Sequence, residues 1–227
     1  MSDNAEIRSS QPGRYGVAGP VRVSLQPAAT GTVWNLQGAA DNAALIVRAT
    51  SLWGVETLPA RHRIVSSATH RLMWVGPRSW LVFSLSPHAP ADPAMQPGFS
   101  DSRNQLNAAG GALFDVSASR VGWTLRGPRA LDLLASGCPL DLHHSVFTPD
   151  SCAQSLFGHV AALYHRHADG DFTLYVARSF ADDVSSSLCA SAAQYGYEVL
   201  PATQGLRCMA GTGRRFRSPA APSRRRR

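Results

Sequence analysis

The side chains best suited to chemistry in this chain of 227 residues are histidines. His143-His144 and His165-x-His167 enclose a stretch that also holds Cys152 and His159. Two histidines at i and i+2 share one face of a strand, and they could hold Zn²⁺ or Cu²⁺. Structural zinc sites draw tight ligand pairs from both sides of a loop. Tyr164-His165-Arg166-His167, followed by Ala168-Asp169-Gly170, reads more simply as the solvated end of a hairpin. A second polar stretch is Asp115-Val116-Ser117-x-Ser119-Arg120. Asp115 and Arg120 could grip a ligand across a turn, but an internal ion pair fixing that turn is the favoured reading.

Other chemistries lack their residues. All 22 basic residues are Arg and there is no Lys. That removes the Walker P-loop, Schiff-base chemistry and a Lys general base. There is no Gly-x-Ser-x-Gly elbow, no His-Glu-x-x-His helix and no Gly-x-Gly-x-x-Gly after a strand. The four cysteines never fall as Cys-x-x-Cys. Glutamate occurs only at Glu6, Glu56 and Glu198, so paired-carboxylate catalysis has no seat in the sequence. No catalytic, cofactor-binding or metal residue is assigned, and the chain by itself is expected not to catalyse.

The net charge of +7 is localised. Eight arginines lie in residues 207–227, which contain no Asp or Glu, while residues 1–206 carry 14 Arg against 15 acids. Such a tail could bind phosphates through counterion release, but its Gly and Pro content makes a solvated, disordered end the simpler reading. No nucleic-acid partner is expected. No apolar run reaches the roughly 18–20 residues that cross a bilayer, and Met1 to Glu6 lacks the basic and apolar regions of a secretory signal. No membrane partner is expected, and a cytoplasmic protein with reduced thiols is.

The elements that must position these residues repeat. A flexible arm is expected over residues 1–20, a first α+β half over 21–100 with a Pro-rich loop at 86–100, a second half over 101–206, and the disordered tail over 207–227. Val33-Trp34-Asn35-Leu36-Gln37-Gly38 and Gly122-Trp123-Thr124-Leu125-Arg126-Gly127 are both strands closed by Gly. A helix follows each. The first is Ala39 to Leu52, with Ala43, Ile46, Val47 and Leu52 inward; the second is Pro128 to Ala135. Two antiparallel strands then follow each helix: His70 to Val75 and Ser79 to Leu85, then Ser155 to His165 and Phe172 to Ala177. A last helix runs from Phe180 to Tyr195, with Val184, Leu188 and Ala192 on one stripe. The fold class is α+β: a duplicated β-α-β-β unit with mainly antiparallel sheets.

The second half also carries ordered motifs. They are Phe114-Asp115-Val116-Ser117-x-Ser119-Arg120-Val121, Leu125-Arg126-Gly127-Pro128-Arg129-Ala130, Gly137-Cys138-Pro139-Leu140-Asp141-Leu142, Cys152-Ala153-Gln154-Ser155 and Tyr175-Val176-Ala177-Arg178-Ser179-Phe180-Ala181. In this order they resemble the gamma subunit family of heterotetrameric sarcosine oxidase. Gly76-Pro77-Arg78-Ser79-Trp80-Leu81 resembles that family's Gly-Pro-x-x-Trp-Leu segment. The resemblance implies the folate-binding aminomethyltransferase (T-protein) fold. It also implies a place in sarcosine catabolism and one-carbon metabolism, in a complex that demethylates sarcosine to glycine and hydrogen peroxide. The one-carbon unit passes to tetrahydrofolate. Alpha, beta and delta subunits are the implied partners, and they carry the FAD, FMN, NAD and tetrahydrofolate; this chain is implied to bind none of them. The alternative is a folate-binding module outside such a complex. Its pterin would need a carboxylate, with Asp115 or Asp141 as the candidate.

Overall fold

The computed structural model describes residues 11–28, 30–85 and 98–202. The first ten residues of the expected arm, most of the Pro-rich loop and the Arg tail lie outside them.

Runs of apolar residues at alternate positions make two sheets. β3 (Val33–Gln37), α1 (Ala43–Trp53), β4 (Ile64–Ser66), β5 (His70–Gly76), β6 (Ser79–Ser84), α2 (Phe99–Ala108) and β7 (Ala112–Asp115) form one succession. β8 (Arg120–Arg126), α3 (Ala130–Ala135), β9 (Ser151–Phe157), β10 (Val160–Arg166), β11 (Phe172–Ala177), α4 (Ala181–Ala192) and β12 (Tyr197–Val199) repeat it. The five-stranded sheet runs β4-β5-β6-β3-β7. The seven-stranded sheet is ordered β1-β12-β2-β8-β11-β10-β9, including β1 (Gly13–Tyr15) and β2 (Val23–Pro27). The matched orders 4-5-6-3 and 9-10-11-8 establish the duplication. Its unit is one strand longer than expected, because β4 precedes the anticipated first pair and the strand anticipated over residues 155–165 is two, β9 and β10. All pairings are antiparallel except β12 with β2.

The two sheets pack face to face. Val33, Ile64, Met73, Leu81 and Phe83 of the smaller sheet meet Cys152, Leu163 and Tyr175 of the larger. α1 and α2 cover the outer face of the smaller sheet, over Leu36, Trp80 and Val82. α3 and α4 cover that of the larger, over Leu125, Tyr164 and Leu174. At one side the sheets are stitched together: Ile64 N–H donates to Asp150 O, and Cys152 N–H donates to His62 O, both at 3.0 Å.

Several expectations change here for physical reasons. α1 starts four residues late, because Asn42 caps it by accepting from the N–H groups of Ala44 and Leu45. Its buried stripe is Leu45, Ala49 and Trp53, an i, i+4, i+8 row, whereas Ala43 and Val47 are exposed. Gly54, at φ +65°, closes the helix. The single strand expected over residues 155–165 is a hairpin, with β9 and β10 turning at Gly158-His159 and Phe157 paired to Val160. Residues 13–15 of the expected arm pair with β12. The halves interlock: β2 sits in the seven-stranded sheet, and α2 with β7 completes the five-stranded layer.

Gly127 must be glycine. It has φ +103°, and a Cβ there would lie 2.5 Å from the backbone oxygen of Arg22. Gly127→Ala is expected to cost about 1–3 kcal/mol, read as a lowered urea midpoint with an unchanged slope.

Candidate functional site

A polar row runs between the sheets. Strand alternation turns His165 of β10, Thr173 of β11, Thr124 of β8 and Gln26 of β2 to the face shared by the two sheets, side by side in register. His167, Asp171 and Arg126 lie just outside it. The groups are chained: His167 Nε2 to Thr173 Oγ1 is 2.7 Å, and Thr173 Oγ1 to Thr124 Oγ1 is 3.1 Å. Arg126 donates from Nε to Asp171 Oδ2 and from Nη1 to Gln26 Oε1, both at 2.6 Å. Arg71 of β5 comes close enough from the other sheet for its charge to act on His165 and His167.

His165 is 1% exposed, and its Nδ1 has no hydrogen-bond partner among the described residues. Burial first, then the charges of His167 and Arg71, push its pKa down to about 2. His167 is lowered too, chiefly by burial. Both imidazoles are therefore neutral at pH 7, and of the two carboxylates near His167, Asp169 and Asp171, the second is tied to Arg126. The row offers hydroxyls, neutral rings and a cation, a binding chemistry rather than an acid–base pair.

The remaining candidates are dispersed. Cys152 sits opposite His165 in register, but its thiol donates to the carbonyls of Trp74 and Arg63 in the seam. Burial pushes its pKa up to about 12, which makes it a protonated thiol and a poor nucleophile. His159 is at the β9–β10 turn beside Asp183, 3.3 Å away. His143 and His144 lie against each other with tilted rings in an exposed turn, where Asp141 Oδ1 accepts from the His143 backbone N–H. Among the described residues no three His, Cys, Asp or Glu side chains gather as a metal site. The expected ion pair of Asp115 and Arg120 does not form. Asp115 Oδ1 accepts from Ser117 N–H within its own turn, and Oδ2 is buried without a partner. Arg120 lies instead one row beyond Gly122 and Tyr175, on the same face of the larger sheet.

Sequence reasoning found the histidines of the row but missed Arg71, Thr124, Arg126 and Thr173. Their signal was alternation: Thr124 and Arg126 are two apart on either side of Leu125, as are Asp171 and Thr173 on either side of Phe172.

Residues 37–194 match the family described as the sarcosine oxidase, gamma subunit family. The chain belongs to that family. The match runs from the end of β3 through α4, and so covers most of both duplicated units while leaving out β1, β2 and β12. No curated protein matches. Among solved structures, heterotetrameric sarcosine oxidase from Corynebacterium sp. U-96, in complex with pyrrole 2-carboxylate, aligns with TM-score 0.66 and 24% identity. The alignment covers 79% of this chain and 88% of that one. Glycine cleavage system aminomethyltransferase T from Bartonella henselae aligns with TM-score 0.51 and 10% identity, over 80% of this chain and 48% of that one. The gamma-family chain thus shares the fold of both and spans about half of the aminomethyltransferase. Among the described residues no helix is long and apolar enough to cross a membrane.

Proposed function

We propose that this gamma-family chain is a non-catalytic structural subunit of a cytoplasmic, tetrahydrofolate-dependent sarcosine oxidase heterotetramer. It assembles with alpha, beta and delta subunits, which hold the FAD, FMN, NAD and tetrahydrofolate. The complex demethylates sarcosine to glycine and hydrogen peroxide and hands on the one-carbon unit. The family match over residues 37–194 carries this reading. The side chains support it: the thiol of Cys152 is protonated, and His159, Asp141 and Asp171 are engaged in local contacts. A tagged chain co-expressed with the other three should retain all of them through a salt wash. A chain that elutes alone refutes the assignment.

A second reading has one observation in its favour. The buried Asp115 Oδ2 lacks a donor, and the ring N–H groups of a pterin are donors of the kind it needs. On this reading the chain binds a folate itself. Titration with tetrahydrofolate should then release heat that Asp115→Asn abolishes; no heat at millimolar ligand removes the idea.

A further inference from the structure

The inner face of the seven-stranded sheet outruns the smaller sheet by one row. That row is Arg120 of β8, Ala177 of β11, Ala161 of β10 and Leu156 of β9. Arg120 pairs with Ala177, Leu156 pairs with Ala161, and the pairing of Ala162 with Val176 places Ala161 beside Ala177. All four share the face of Tyr175 and Leu163, which the other sheet buries at 4% and 0% exposure. One row further out the cover ends: Ala161 and Ala177 are exposed and Leu156 is 44% exposed. On the opposing sheet Phe114, in register with Asn35 and so on the face of Leu81, is 49% exposed. The result is an open strip of small and apolar side chains.

Arg120 is the charged group in that strip. Its side chain is half-buried, and among the described residues its guanidinium has no hydrogen-bond or ion-pair partner. Burial holds its pKa below the usual arginine value. A guanidinium partly removed from water and left unpaired is costly. The arrangement makes sense when something else supplies the anion, and a planar fork suits a carboxylate. Flat apolar surface around a single cation is the layout of an interface core with one charged anchor.

We infer that this strip docks a partner subunit of the complex through a segment that places an Asp or Glu side chain on Arg120 and apolar side chains on Leu156 and Phe114. The inference rests on the subunit reading above and names the surface that reading leaves open. Desolvating the carboxylate against Arg120 adds specificity, because a partner without it leaves the cation buried and unpaired.

The test uses the whole complex. Full-length chains carrying Arg120→Glu, Arg120→Gln, Leu156→Asp or, as a control, Val146→Asp are co-expressed with alpha, beta and delta subunits. Val146 is 64% exposed and lies in the loop before β9. Recovered partner per chain is expected to fall at least tenfold for Arg120→Glu and Leu156→Asp and severalfold for Arg120→Gln, with the control unchanged. Thermal melts of the variants within a few degrees of the parent assign the loss to docking; because Leu156 and Arg120 are changed separately, one poorly folding variant leaves the other decisive. Parent and variants assembling equally well overturns the docking strip but not the subunit assignment. A parent that fails to assemble overturns the assignment itself. Sedimentation showing that the isolated parent dimerises and Arg120→Glu does not, with assembly unaffected, makes the occupant a second copy and refutes the partner segment. Protection of Arg120 by a free small carboxylate, with assembly unaffected, does the same.

Discussion

Trp80→Ala is expected to lower the unfolding free energy by about 3–5 kcal/mol, the range for truncating a buried Trp. Trp80 is 2% exposed, on β6 near the middle of the five-stranded sheet. Its ring lies in the outer core with Leu36, Leu45 and Val82, beneath α1. Its indole Nε1 donates to Pro59 O at 2.9 Å, fixing the chain that leads from α1 to β4. Truncation opens a cavity and also leaves the Pro59 carbonyl unsatisfied, and the two losses act together. Natural domains hold a margin of about 5–15 kcal/mol, so one such change removes a large part of it. Urea unfolding at 25 °C measures the loss. Trp80→Phe keeps most of the volume and should cost less than half as much. A loss below 1 kcal/mol for Trp80→Ala would mean that the outer core is not packed as described.

Acid should destabilise the chain from about pH 6.5 downward, and His165 should account for most of the effect. The groups around its ring are Arg71 from β5, His167 just past the end of its own strand, Tyr175 and Thr173 on β11, and Cys152 on β9. None of them is an acid. The folded-state pKa is about 2, while the unfolded chain titrates near the ordinary histidine value of about 6.5. Between these values the unfolded state holds a proton that the folded state refuses. Stability is therefore full above pH about 6.5 and falls as pH drops below it, by about 1.4 kcal/mol per unit for one site. At pH 4.5 that amounts to about 3 kcal/mol, and the lowered His70 and His167 add to it with the same sign. Asp and Glu protonate mainly below about 4.5, so the window from 6.5 to 4.5 isolates the histidines. His165→Leu should remove about one proton from the slope of stability against pH in that window. An unchanged slope would place the ring in water.

The fold was legible where local patterning decides it. Alternation around Trp34, Trp80 and Trp123 marked three strands, and the similar spacing from Trp34 to Trp123 and from Trp80 to Phe172 marked the duplication. The stripe of Val184, Leu188 and Ala192 is the buried face of α4. Reading failed where tertiary context decides. Val23–Pro27 and Tyr197–Val199 are too short to be seen as strands alone, and their pairing across 170 residues is a property of the closed sheet. Leu45, Ala49 and Trp53 were passed over because Ile46 and Val47 look equally apolar; the cap at Asn42 sets the helix phase. The histidines looked like a solvated hairpin end, yet His165 is buried, because a second sheet lies above it. Local sequence carries no sign of a layer supplied by the other repeat. The family motifs were legible because several sit where the backbone is constrained, at Gly127 and at the Asp115-Ser117 turn.

The central claim is that this chain exists to be part of an assembly, and native mass spectrometry of the four co-expressed subunits tests it most directly. The account predicts one species whose mass is the sum of one copy of each chain, and no free pool of this chain at equal expression. A complete complex of the other three subunits, beside a free and monodisperse form of this chain, would contradict it.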